Sequence, residues 1–142
     1  MNVFSSFELA LLLAGIAQLA IAGTSLLIPR LLGWREETAR LKPLTRQVFW
    51  TYSYYICATN VAFGLLSLLA PHTLLDGSTL ARAVCGFIAA YWTGRIAVQF
   101  AVYDRSVAIG NLRLRAAEVA YVSAFAYLAL VYAAVAVATV PR

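Results

Sequence analysis

The stretch from Phe7 to Ile28, FELALLLAGIAQLAIAGTSLLI, holds a single charged side chain, Glu8, and its reading decides the fold. A helix that crosses roughly 30 Å of hydrocarbon needs about 20 mostly apolar residues. Three further stretches repeat the pattern: Val48 to Leu69, Arg82 to Tyr103 and Ala116 to Thr139. The connections between them are short, and a short link cannot return the chain across a bilayer, so consecutive helices must pack as antiparallel neighbours. The expected architecture is therefore all-α, a single transmembrane domain over residues 1–142 built as an up-and-down four-helix bundle.

Composition points to the same solvent. Hydrophobic residues make up 63% of the chain and charged residues 12%, with a mean hydropathy of +0.80, whereas about a quarter of a soluble domain is charged. The N-terminus lacks the positive region of a signal peptide, and the apolar run after it is too long for one, so the first helix is expected to be retained. Cys57 and Cys85 fall at different depths of separate spans and are not expected to pair.

The net charge of +5 is organised by topology, not by nucleic acid, which is not expected as a partner. Arg30, Arg35, Arg40, Lys42 and Arg46 lie between the first two spans, and Arg105, Arg113 and Arg115 between the last two. The other side has Arg82 and Arg142. The positive-inside rule converts this asymmetry into an orientation in the inner (plasma) membrane, with both termini outside and the Arg-rich loops cytoplasmic. Pro29 reads as the stop of the first helix, and Pro43 with Thr45 as the start of the second. Pro71 closes the second, Asp76-Gly77 is a turn, and Ser78 is the expected N-cap of the third.

The third span carries the chemistry. Tyr91, Arg95, Gln99 and Tyr103 recur every four residues and form one ridge. Arg95 lies about 12 Å inside the cytoplasmic end, at roughly 1.5 Å per residue. Charged side chains at such depth face the interior of a bundle, and Glu118, in the first turns of the last span, is the expected acidic partner. An alternative use of Arg95 is to receive a ligand anion, since its planar fork can donate two parallel hydrogen bonds to carboxylate or phosphate. Gly86, Ala90 and Gly94 form a small-residue ladder that admits a close neighbour, either another helix of the chain, which is the expected one, or a second copy or other membrane protein. On the second span Arg46, Ser53, Cys57, Asn60, Gly64 and Ser67 share one narrow face, whose small and polar residues are expected to point inward. On the first, Gly15 and Gln18 lie on a heptad-like seam that sets Gln18 level with Asn60, and a hydrogen bond between the two is expected.

Aromatic residues crowd the cytoplasmic half. Trp50, Tyr52 and Tyr103 fit an interfacial belt, whereas Tyr91 and Trp92 sit deeper, beside Arg95. With Ser53, Cys57 and Gln99 they outline a pocket with an aromatic wall and one cationic end, suited to an anionic amphiphile or a quinone-like ring. His72 is the only histidine and reads as a solvated loop residue, so no metal site and no cofactor is expected. No Walker loop, HExxH, CxxC or GxSxG motif is present.

The order Ile28-Pro29-Arg30-Leu31-Leu32-Gly33-Trp34, then Arg46-Gln47-Val48-Phe49-Trp50, then Gly94-Arg95 resembles the layout of small bacterial DoxX-like membrane proteins. The resemblance implies a bacterial inner-membrane bundle with redox or quinone-linked partners, and it carries over no functional residue. The aromatic segment Phe49 to Tyr55 departs from that pattern. The leading expectation is a non-enzymatic protein that binds membrane lipid or an anionic amphiphile, or acts as an accessory subunit. Arg95 would hold the anion, Tyr91, Trp92 and Tyr103 would shape the pocket, and Gln99, Asn60 and Glu118 would orient the arginine. A lipid- or quinone-linked membrane enzyme is the alternative, and a small transporter ranks third.

Overall fold

The computed structural model describes residues 3–102 and 112–138, and these residues are helical with no strand among them. Among the described residues six helices follow in order: α1 (Val3–Leu31), α2 (Trp34–Ala39), α3 (Pro43–Leu69), α4 (Pro71–Leu74), α5 (Thr79–Ala101) and α6 (Leu112–Ala138). The four long ones correspond to the four expected stretches, with shifted ends. Pro29 does not stop α1 but lies inside its last turn. A proline lacks one donor, yet Leu32 N donates to the Ile28 carbonyl at 2.9 Å and carries the helical bonding past it. α3 begins five residues before Val48, because Pro43 occupies the first turn, where a missing N–H costs nothing. The short helix α2 was not anticipated. Gly33 enters it at φ 65°, a left-handed conformation that favours glycine, and Glu36 and Glu37 in its first turn complement the helix dipole.

The turn between α4 and α5 is as read. Gly77 has φ 77°, and the Ser78 hydroxyl accepts the Ala81 N–H at 3.1 Å as an N-cap. The Asp76 carboxylate accepts the Ser78 N–H at 2.8 Å. That bond, and then the Ser78 hydroxyl, hold the Asp76 carboxyl below its ordinary value. His72 stands on α4, exposed, with Nε2 3.5 Å from Glu8 Oε1.

Three of the long helices, Ser5–Leu31, Pro43–Leu69 and Leu114–Ala138, are long and apolar enough to cross a membrane. α5 is not among them, and the residues that dilute it are Arg82, Arg95, Gln99 and the run Tyr91-Trp92-Thr93-Gly94. Burial is inverted relative to a water-soluble protein. Gln18 and Ser67 are fully buried and Asn60 nearly so, while Leu31, Leu69 and Leu130 are 70–80% exposed. An apolar exterior this extensive is a surface for lipid or for protein, not for water.

Close approach of α1 to α3 is set by two glycines. A Cβ on Gly15 would lie 2.9 Å from the Gly64 carbonyl oxygen, and one on Gly64 would lie 3.1 Å from that of Gly15. One level on, Cys57 Sγ points to the Ala22 carbonyl at 3.7 Å, so the two helices run antiparallel. α5 packs on α6 with Trp92 stacked against Phe125, ring centroids 5.1 Å apart. The expected small-residue ladder on α5 does not serve this packing. A Cβ on Gly86 or Gly94 would meet nothing within 4 Å, and Ala90 is exposed. The contact that brings two glycine backbones together is on α1 and α3 instead.

A buried polar chain links all four long helices. The Trp92 indole N–H donates to Gln18 Oε1 at 3.3 Å, and Gln18 Nε2 donates to Tyr132 Oη at 2.6 Å. Tyr132 and Ser67 hydroxyls form a short hydrogen bond, and the Ser67 hydroxyl donates to the Phe63 carbonyl at 2.9 Å. A carbonyl only accepts, so the direction is determined: Tyr132 donates to Ser67, and every donor has an acceptor. Gln18 therefore does not pair with Asn60. Its amide is used by α5 and α6, and Asn60 Oδ1 accepts instead from Tyr91 Oη at 3.1 Å.

Candidate functional site

Toward the basic end of the molecule the packing opens into a cavity of about 200 Å³, bounded by α1, α3, α5 and α6. Five sequence-predicted residues line it: Asn60, Trp92, Arg95, Gln99 and Glu118. Helical spacing explains the convergence. Trp92, Arg95 and Gln99 stand at i, i+3 and i+7 of α5, which is one face. Glu118, Tyr121 and Phe125 share one face of α6 in the same way, and α5 meets that face through the Trp92–Phe125 stack. Ile21, Ser25 and Ile28 of α1 and Ile56 of α3 complete the wall.

Each predicted residue has a defined place. The Arg95 guanidinium carbon sits 5.6 Å from the centroid of the Phe125 ring, a cation–π contact. Glu118 and Gln99 are half-buried on the same wall. Trp92 presents its ring to the cavity while its indole N–H is spent on Gln18, so it belongs both to the wall and to the polar chain beneath. Tyr91 does not line the cavity. It lies between α5 and α3, edge-on to Phe63 at 5.4 Å, and its hydroxyl orients Asn60 from behind. Tyr103 lies outside the described residues.

Two expected pocket residues point elsewhere. Cys57 faces the α1 backbone, and Ser53 lines a different cleft. Conversely, Tyr121 and Phe125 are wall residues that the sequence reading did not assign to the pocket. Their spacing from Glu118, three and seven residues, is the signal that assigns both to its face. Tyr121 also fixes the wall in place, because its hydroxyl donates to Thr24 Oγ1 at 2.6 Å and ties α6 to α1.

The chemistry available is a cation, a carboxylate, two amides and three aromatic rings around a small void. A space of about 200 Å³ lies below the roughly 300–1,000 Å³ of drug-sized ligand sites. It suits a small anionic group or a single ring. Among the described residues no group of His, Cys, Asp and Glu is arranged to hold a metal ion. No family profile, no curated protein and no solved structure matches the chain.

Proposed function

We propose that the chain is a four-span integral membrane protein, an up-and-down four-helix bundle with its Arg-rich connections in the cytoplasm and both termini outside. In this reading it binds the anionic group of an amphiphile in the Arg95 cavity. The outward-facing leucines and the three apolar helices support the membrane placement. α5 becomes the fourth span because Arg95 and Gln99, in its second half, line the cavity between helices, and Thr93 donates to its own helix backbone.

One observation carries the binding reading: Arg95, Gln99, Glu118 and Asn60, drawn from three helices, border a single void of about 200 Å³. Arg95 would supply a two-pronged donor to a carboxylate or phosphate oxygen. The rings of Trp92, Tyr121 and Phe125 would hold the adjoining apolar part. The competing reading, a purely structural arginine, is favoured by its place over Phe125 with Glu118 on the same wall.

Native mass spectrometry of protein released from nanodiscs made of its host membrane separates the two. A single retained small molecule, lost in Arg95→Ala and weakened in Arg95→Lys, is the expected result, since lysine keeps the charge but not the fork. Bare protein, or the absence of any retained mass that Arg95→Ala removes, would establish the structural reading instead.

A further inference from the structure

α1 also borders a larger cleft, which adjoins the Arg95 cavity at Ser25. Its apolar trough, about 670 Å³, runs past Ala20, Gly23, Leu26 and Leu27 and reaches Arg30, Arg35, Trp50 and Tyr54 at the basic end. There it meets an annex of about 270 Å³ walled by Arg35, Thr38, Arg46, Trp50 and Tyr54. Arg35, Trp50 and Tyr54 belong to both walls, so trough and annex adjoin.

The annex has a built frame. Buried Thr38 donates to the Trp34 carbonyl at 2.6 Å and accepts the Trp50 indole N–H at 3.2 Å, which locks α2 against the start of α3. Trp34 packs edge-on against Phe49 at 5.6 Å and reinforces the same junction. Upon this frame Arg35 and Arg46 converge, and neither they nor Arg30 form an ion pair among the described residues. The trough is open at Gly23, where an added Cβ would meet nothing within 4 Å. Its volume lies inside the roughly 300–1,000 Å³ range of ligand sites.

We propose that this cleft seats one anionic phospholipid, its phosphate between Arg35 and Arg46 and an acyl chain in the trough across Gly23. Guanidinium forks match phosphate oxygens, and Trp50 and Tyr54 suit the level at which headgroup meets hydrocarbon. The proposal rests on the membrane placement above, but not on the Arg95 cavity, with which this cleft shares Ser25 but none of its arginines.

The test is native mass spectrometry from nanodiscs of equimolar phosphatidylcholine and phosphatidylglycerol. Wild type and Arg95→Ala should each retain one phosphatidylglycerol in preference to phosphatidylcholine. The double variant Arg35→Gln/Arg46→Gln should lower that retention by about tenfold or more. Gly23→Leu, which projects into open space and leaves helix content by circular dichroism unchanged, should lower it too by filling the trough. Equal retention of both lipids, or undiminished retention in the double variant, overturns the proposal. So does displacement of the lipid by added inorganic phosphate with no effect of Gly23→Leu, which would mark a free-anion site. Loss in Arg95→Ala alone would assign the lipid to the Arg95 cavity, so that this proposal falls while the previous reading stands.

Discussion

Two polar regions lie one above the other along the same helices and share Trp92, yet they are built on opposite terms. In the lower one, Trp92, Gln18, Tyr132 and Ser67 exchange hydrogen bonds until the last donor ends on a backbone carbonyl, and no space remains. In the upper one, Asn60, Arg95, Gln99 and Glu118 surround about 200 Å³ of void. Polar side chains inside apolar helices are therefore of two kinds here. Those of the first region join helices with no cavity between them, and those of the second also border a space into which a guest fits. Residue type alone does not separate them, since glutamine appears in both.

The largest expected effect breaks the closed region from outside. Gly15→Val would drive a branched side chain against the Gly64 carbonyl, already 2.9 Å from a bare Cβ, and should cost about 3 kcal/mol, the upper end of overpacking. Unfolding by denaturing detergent would measure it, with Gly94→Ala as a control expected to be silent because nothing lies within 4 Å. Next, Gln18→Leu keeps the volume but strands the Trp92 and Tyr132 groups, and should cost about 1.5 kcal/mol, near the upper end for interhelical bonds in membranes. A cost below about 0.3 kcal/mol would mean the chain does not hold the helices together.

The open region should respond in the reverse sense. Gln99→Leu is expected to change stability by less than about 0.5 kcal/mol while reducing retention of the Arg95-dependent molecule. A stability loss equal to that of Gln18→Leu would erase the distinction between the regions. The smallest effect lies outside both. Asp76 has its folded pKa below the ordinary value near 3.8, so its contribution is present above that value and fades as pH falls through the lower, folded one. Asp76→Asn should therefore flatten the acid limb of a stability profile slightly and leave the neutral region unchanged.

Much of this was legible in the sequence because helix periodicity reports faces well. The inward placement of Gly15, Gln18, Asn60, Gly64 and Ser67 followed from 100° spacing, and the N-cap at Ser78 from local chemistry. Arg95, Gln99, Glu118 and Asn60 were singled out because polar groups are costly among apolar residues, and the structure sets them on one wall. What periodicity does not contain is the rotation of one helix against another. Gln18 and Asn60 were at matching levels, but each turns toward other helices, and only the assembled packing decides that. The same limit applies to the small ladder on α5, which is a surface until a neighbour is specified. Helix α2 escaped because six residues are too few to show a period, although Gly33 marked the turn that begins it.

The contrast between a sealed core and an accessible cavity is tested most directly by cysteine accessibility with an anionic methanethiosulfonate in oriented membranes. Both native cysteines are buried, so Gln99→Cys and Tyr132→Cys can be compared in the otherwise unchanged chain. The account predicts modification of Gln99→Cys from the cytoplasmic side only, and none of Tyr132→Cys from either side. Labelling of Tyr132→Cys at a comparable rate, or no labelling of Gln99→Cys from the cytoplasmic side, would contradict it.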